Sequence, residues 1–142
     1  MRVYFQKASK SLLDQLIKLV TKSKYVHCEI SFEWEDDCFL GYTSSAFKGV
    51  CSDRVDYSPD EWDFLEVPGD HQSVLKFYEK TKGRGYDYLG VLGFVFGNPD
   101  NPRRYFCSEW CATVLGLKNP SKISPGELYK LLESKIRGEN VN

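Results

Sequence analysis

Tyr25-Val26-His27-Cys28-Glu29-Ile30-Ser31-Phe32 is the stretch whose reading decides the fold. Val26, Cys28, Ile30 and Phe32 recur at every second position, which sets them on one face of a strand and Tyr25, His27, Glu29 and Ser31 on the other. Just upstream the period is different. Leu12, Leu13, Leu16, Ile17 and Val20 follow the spacing of an amphipathic helix over 9–22, with Ser11 and Asp14 as a capping-box-like start. Downstream, 33–37 is a polar turn and 38–45 reads as the returning strand. A hairpin centred near Glu35 sets His27 opposite Thr43, with Tyr42 and Ser44 one step to either side. Further strands are expected at 2–6, 49–55 and 62–67, with Tyr57-Ser58-Pro59-Asp60 as a loop between the last two.

The second half returns to helices. Asp70 is an N-cap, and Val74, Phe77, Tyr78 and Thr81 form a stripe that ends at Gly83 and Gly85. Residues 86–96 are apolar and fit either a buried helix or a buried strand. Residues 97–104 hold two prolines, a glycine and two asparagines and form a loop. Trp110, Cys111, Val114 and Leu115 then share a helix face that stops at Gly116. Ser124-Pro125-Gly126-Glu127 starts a last helix with an N-cap Ser, Pro at the first helical position and Glu two further on. Leu128, Leu131, Leu132 and Ile136 give its apolar stripe, and 137–142 is an expected frayed tail. A run of strands flanked by helices predicts an α+β domain with a small antiparallel sheet.

With 142 residues the chain is expected to be one domain, 1–142. Lys plus Arg number 19 against 20 for Asp plus Glu, which gives nucleic acid or an anionic membrane no basic surface to hold. Aromatic residues make up 15%, enough to exclude disorder for the bulk of the chain. The apolar stretch 86–96 is broken by Asp87 and is shorter than the ~20 residues of a membrane span. Met1-Arg2-Val3-Tyr4-Phe5-Gln6 lacks the apolar core of a secretion signal, so the expected location is the cytoplasm. There the five cysteines, an odd number, stay reduced: packing residues, metal ligands or chemistry.

Cys107 is where chemistry concentrates. It follows the Pro-containing loop and opens a predicted helix, whose N–H groups and dipole favour a thiolate and can hold an oxyanion. A buried packing cysteine fits the same position. A thiolate nucleophile needs a base, and the chain has two histidines. His71 follows an N-cap in a polar setting and reads as a solvated surface residue. His27 sits on a stiff strand suited to holding an imidazole, though an ordinary hydrogen-bonded sheet histidine reads the same way. Thr43, or Ser44 beside it, is the residue that register brings toward His27, and Glu29 is the nearby carboxylate on the same face. A zinc site from His27, Cys28, Cys107 and Cys111 is disfavoured, because adjacent strand residues point to opposite faces and the Cys107–Cys111 spacing is not the usual knuckle. Tyr25, Trp34, Trp62 and Trp110 either line a groove or pack.

Tyr25-Val26-His27-Cys28-Glu29-Ile30 with its hairpin, then Tyr86-Asp87-Tyr88-Leu89-Gly90, then Tyr105-Phe106-Cys107-Ser108-Glu109, resembles the circularly permuted branch of the NlpC-type papain-like superfamily. That branch includes YiiX-like bacterial proteins, phage-encoded relatives and the lecithin:retinol acyltransferase group. The resemblance covers roughly 24–128 and carries the permuted order, His before Cys. It implies a papain-like fold, Cys107 as nucleophile, His27 as base and no cofactor. The third polar residue lands on Thr43 or Ser44. Relatives carry His, Asn or an acid there, so the orienting role passes to Glu29 or activity is weakened. Glu109 matches the family motif and also fits a purely local role. The implied function is a cysteine hydrolase or acyltransferase acting on a peptide, a peptidoglycan fragment or a lipid acyl group. The alternative is a catalytically weak binding module of the same fold, such as a phage accessory protein working in the host cytoplasm.

Overall fold

A five-stranded antiparallel sheet organises the computed structural model, which describes residues 1–33, 38–87 and 103–138. Its strands are β1 (Arg2–Lys7), β2 (Tyr25–Glu33), β3 (Phe39–Ser45), β4 (Gly49–Val55) and β5 (Trp62–Glu66), in the spatial order β4-β3-β2-β1-β5. Among the described residues four α-helices accompany it: α1 (Leu12–Thr21), α2 (His71–Thr81), α3 (Cys107–Val114) and α4 (Pro125–Ile136). A short parallel pair, β6 (Gly85–Tyr86) with β7 (Arg104–Tyr105), delivers the chain to α3. The fold is therefore α+β, as the alternation of periods predicts.

The helix ends follow from local chemistry. Ser124 Oγ accepts from the Glu127 N–H at 3.3 Å and the Glu127 carboxylate accepts from the Ser124 N–H at 2.8 Å, a complete capping box ahead of Pro125. Asp70 accepts from the Ser73 N–H at 2.9 Å and starts α2. Ser11 caps α1, which begins at Leu12 rather than at residue 9.

The core lies on one face of the sheet. Val3, Phe5, Cys28 and Ile30 meet Trp110 and Cys111 of α3, Leu128 and Leu132 of α4 and Val74 of α2. The buried Trp110 indole donates to Thr81 Oγ1 at 3.0 Å, tying α3 to α2 without leaving a donor unpaired. The opposite face is covered as well. β4 and β5 lie at opposite edges of the sheet, so their short connection crosses that face. Tyr57, on this connection, stacks on Tyr4 with ring centres 3.6 Å apart and planes 8° from parallel. Phe39, Trp62 and Phe64 close around them.

Four expectations are corrected. The β2–β3 ladder pairs Ile30 with Tyr42 and Ser31 with Gly41; extended, it would set His27 opposite Ser45, two residues from Thr43. The pairing in fact stops at Ile30, so His27 has no ladder partner on β3. Tyr25 is not on the His27 face: a register shift between Gln6 and Lys7 of β1 turns it into the core against Phe5 and Tyr129. In α1 Ile17 of the expected stripe is buried, while Leu12 and Leu16 are 90% and 44% exposed, because the helix turns these leucines away from the sheet. His71 is not a solvated residue: its Nε2 lies 2.8 Å from Tyr42 Oη and its ring packs on Phe32.

The rest of the expected 33–37 turn with Trp34, residues 88–96 of the apolar stretch, residues 97–102 of the loop and the tail from 139 lie outside the described residues. Among the described residues no helix is long and apolar enough to cross a membrane.

Candidate active site

Where β2 and β3 part company, α3 enters. Beyond the Ile30–Tyr42 pair the Cys28 carbonyl has lost its ladder partner on β3, and Thr43 Oγ1 donates to it instead at 2.7 Å. The neighbouring Ser44 Oγ donates to the Tyr105 carbonyl at 2.7 Å, which pins β7 to β3 immediately before the helix. Phe106 is the N-cap, extended and buried, with Cys107 at the first helical position. Phe106 offers no side-chain acceptor, so only half a capping box forms: its N–H donates to Glu109 Oε2 at 3.3 Å. Glu109 thus has a structural task at the helix start.

This wedge explains how Cys107, 2% exposed, touches residues on both faces of β2. Its thiol neighbours the His27 imidazole and the Cys28 thiol, and both groups act on its ionisation. Cys111 closes the cluster from the next helical turn, its Sγ 3.8 Å from the Cys28 carbonyl oxygen. His27 keeps 19% of its side chain accessible. Its Nε2 lies 3.2 Å from Glu29 Oε1 and 3.4 Å from Thr43 Oγ1, and Trp62 stands edge-on to the ring. Because the Thr43 hydroxyl proton is given to the Cys28 carbonyl, Thr43 offers His27 only a lone pair. Glu29 offers charge at the shorter distance.

The electrostatics favour a charge-separated pair. The hydrogen bond from the Cys28 thiol lowers the Cys107 pKa most. Burial opposes it, and the charge and hydrogen bond of His27 carry the balance well below the ordinary thiol value. Burial pushes His27 toward neutrality, but the Cys107 thiolate and then Glu29 more than offset this and hold it well above the ordinary imidazole value. Cys28 is pushed well up, first by burial and then by its two thiol neighbours, so it stays a protonated donor.

Of the residues singled out in the sequence, the structure brings Cys107, His27, Glu29 and Thr43 together. Ser44 is close in sequence but is spent on Tyr105, and Trp110 and Tyr25 are core. Among the described residues no group of three or more His, Cys, Asp or Glu side chains is arranged to hold a metal ion. Two members of the cluster take roles here that the sequence does not assign to them. Cys28 reads as a packing residue, and Tyr57, whose Oη donates to Glu29 Oε2 at 2.8 Å, lies in a loop with no periodicity to mark it. No family model and no curated protein sequence matches this chain.

Proposed function

We propose that this chain is a thiol hydrolase or acyltransferase of the permuted papain-like type. The observation that carries the reading is Cys107, at the first position of a helix, beside a histidine whose Nε2 lies 3.2 Å from a buried carboxylate. With Nε2–H directed at Glu29, Nδ1 is the nitrogen that takes the thiol proton. The Cys107 thiolate then attacks the carbonyl carbon of an amide or ester. The carbonyl electron pair moves to oxygen, and N–H groups at the α3 N-terminus stabilise it. On collapse the C–N or C–O bond breaks, and the His27 imidazolium gives its proton to the departing amine or alcohol. Water, or the hydroxyl or amine of an acyl acceptor, is deprotonated by neutral His27, attacks the thioester and returns the thiolate. Peptides, peptidoglycan fragments and lipid acyl groups all carry the required carbonyl.

Alkylation by iodoacetamide at pH 6, read residue by residue by mass spectrometry, tests the reading. Cys107 should react ahead of Cys38 and Cys51, which are more exposed. An ordinary thiol with pKa ~8.5 is only about 0.3% ionised at pH 6, so His27→Ala should slow Cys107 roughly 100-fold. Cys107 reacting no faster than Cys38 would remove the enzyme and leave a binding module. Peptidoglycan fragments and acyl esters, with Cys107→Ala as control, then separate the substrate classes.

A further inference from the structure

Glu29 reaches His27 with one oxygen only. Its Oε1 is 3.2 Å from His27 Nε2, while Oε2 accepts from Tyr57 Oη at 2.8 Å. A carboxylate only 9% exposed depends on such partners to hold its rotamer. Tyr57 is fixed in turn by rings: it stacks on Tyr4, and Trp62 and Phe39 meet it edge-on with centroids at 5.1 and 5.8 Å. The sheet beneath is cut to fit. A Cβ at Gly41 would come within 2.4 Å of Glu29 Oε2 and 2.5 Å of Tyr57 Oη, so only glycine leaves room for this hydrogen bond.

We infer that Tyr57 is a positioning residue: by holding Glu29 Oε2 it aims Oε1 at His27 Nε2 and so presents Nδ1 to Cys107. The inference rests on the hydrolase or acyltransferase reading and deepens it. The groups facing Glu29 and His27 are Tyr57 from the β4–β5 connection, Thr43 from β3, Cys51 from β4, Trp62 from β5 and Cys107 from α3. Among these, only Tyr57 donates to the outer carboxylate oxygen. Its phenol is held well above the ordinary tyrosine range, first by burial and then by the Glu29 charge, so it remains a donor across the working pH.

Tyr57→Phe keeps the ring and its stacking and removes the hydroxyl alone. Cys107 alkylation at pH 6 should fall about tenfold, and the pH at which the thiolate appears should rise by about one unit. In a Glu29→Gln background the same substitution should change neither quantity, because Tyr57 acts only through the carboxylate. Gly41→Ala, which crowds the contact from below, should shift the pH profile in the same direction as Tyr57→Phe. A Tyr57→Phe profile identical to wild type overturns the inference, and so does an equal loss in both backgrounds. Either result leaves the Cys107–His27 reading standing. A wild-type Cys107 with no excess reactivity overturns both.

Discussion

The two faces of β2 are both buried, but they are held by different physics. On one, Cys28 and Ile30 meet Trp110 and Leu128, and what matters is volume. On the other, His27, Glu29 and Ser31 lie beneath Tyr57 and Trp62, and what matters is the direction of hydrogen bonds. Apolar packing tolerates small rotations of a side chain. A carboxylate shared between a phenol and an imidazole does not, since each oxygen is already committed. The proposed reactive geometry uses the second face for that reason, and Cys107 reaches it because the sheet opens beyond Ile30.

Leu128→Ala is the strongest test of this division. Leu128 is fully buried against the apolar face. Truncating it should cost about 2–5 kcal/mol in urea unfolding while leaving the pH profile of Cys107 alkylation unchanged. A shifted profile in this variant would show that the two faces are not separable.

The next test uses proton linkage. Cys107 has a depressed pKa, so its contribution to stability grows as pH rises from its folded value to about 8.5, the value in the unfolded chain. His27 has a raised pKa, so its contribution is complete below about 6.5 and is lost as pH climbs toward the folded value. Between about 6.5 and 8.5 the two slopes cancel. The stability of wild type minus that of the Cys107→Ala, His27→Ala double variant should therefore rise with pH below this window. It should stay level inside it and fall above it, with limbs of up to about 1.4 kcal/mol per pH unit. A difference that is flat from pH 5 to 10 would mean that folding shifts the pKa of neither group.

Much of this was legible in the residues, and the exceptions have physical causes. Periods of two and of 3.6 separate the strands from the helices, and Ser124 with Glu127 marks the start of α4 to the residue. Cys107 at a helix start and His27 on a strand stand where the sequence pattern places them. The hairpin register was off by two because turn length, not side-chain alternation, sets which residues face each other. The face of Tyr25 differs from the expected one because Val26 is an extra, unpaired residue in β2, and side-chain alternation alone does not show where such a bulge falls. Tyr57 is 28 residues from Glu29 and its role arises when a crossing connection meets the sheet, so no local pattern announces it. In α1 the leucine spacing predicts a helix but not the side it buries, and the stripe Leu12, Leu16 and Leu19 faces outward.

The smallest effect concerns two serines on either side of the same junction. Ser44 and Ser108 are both fully buried. Ser44 Oγ donates to the Tyr105 carbonyl, whereas Ser108 Oγ has no hydrogen-bond partner among the described residues. A buried hydroxyl with a partner stabilises by about 1 kcal/mol, while one without a partner bears its desolvation cost uncompensated. The same substitution should then have opposite signs. Ser44→Ala should lower stability by about 1 kcal/mol, a modest loss because the Tyr105 carbonyl also accepts from the Asp87 N–H at 3.1 Å. Ser108→Ala removes the unpaired hydroxyl and adds the better helix former inside α3, so it should be neutral or stabilise by up to about 1 kcal/mol. Paired urea titrations read both, and a loss above 1 kcal/mol for Ser108→Ala would mean that this hydroxyl, next to the proposed nucleophile, does have a partner.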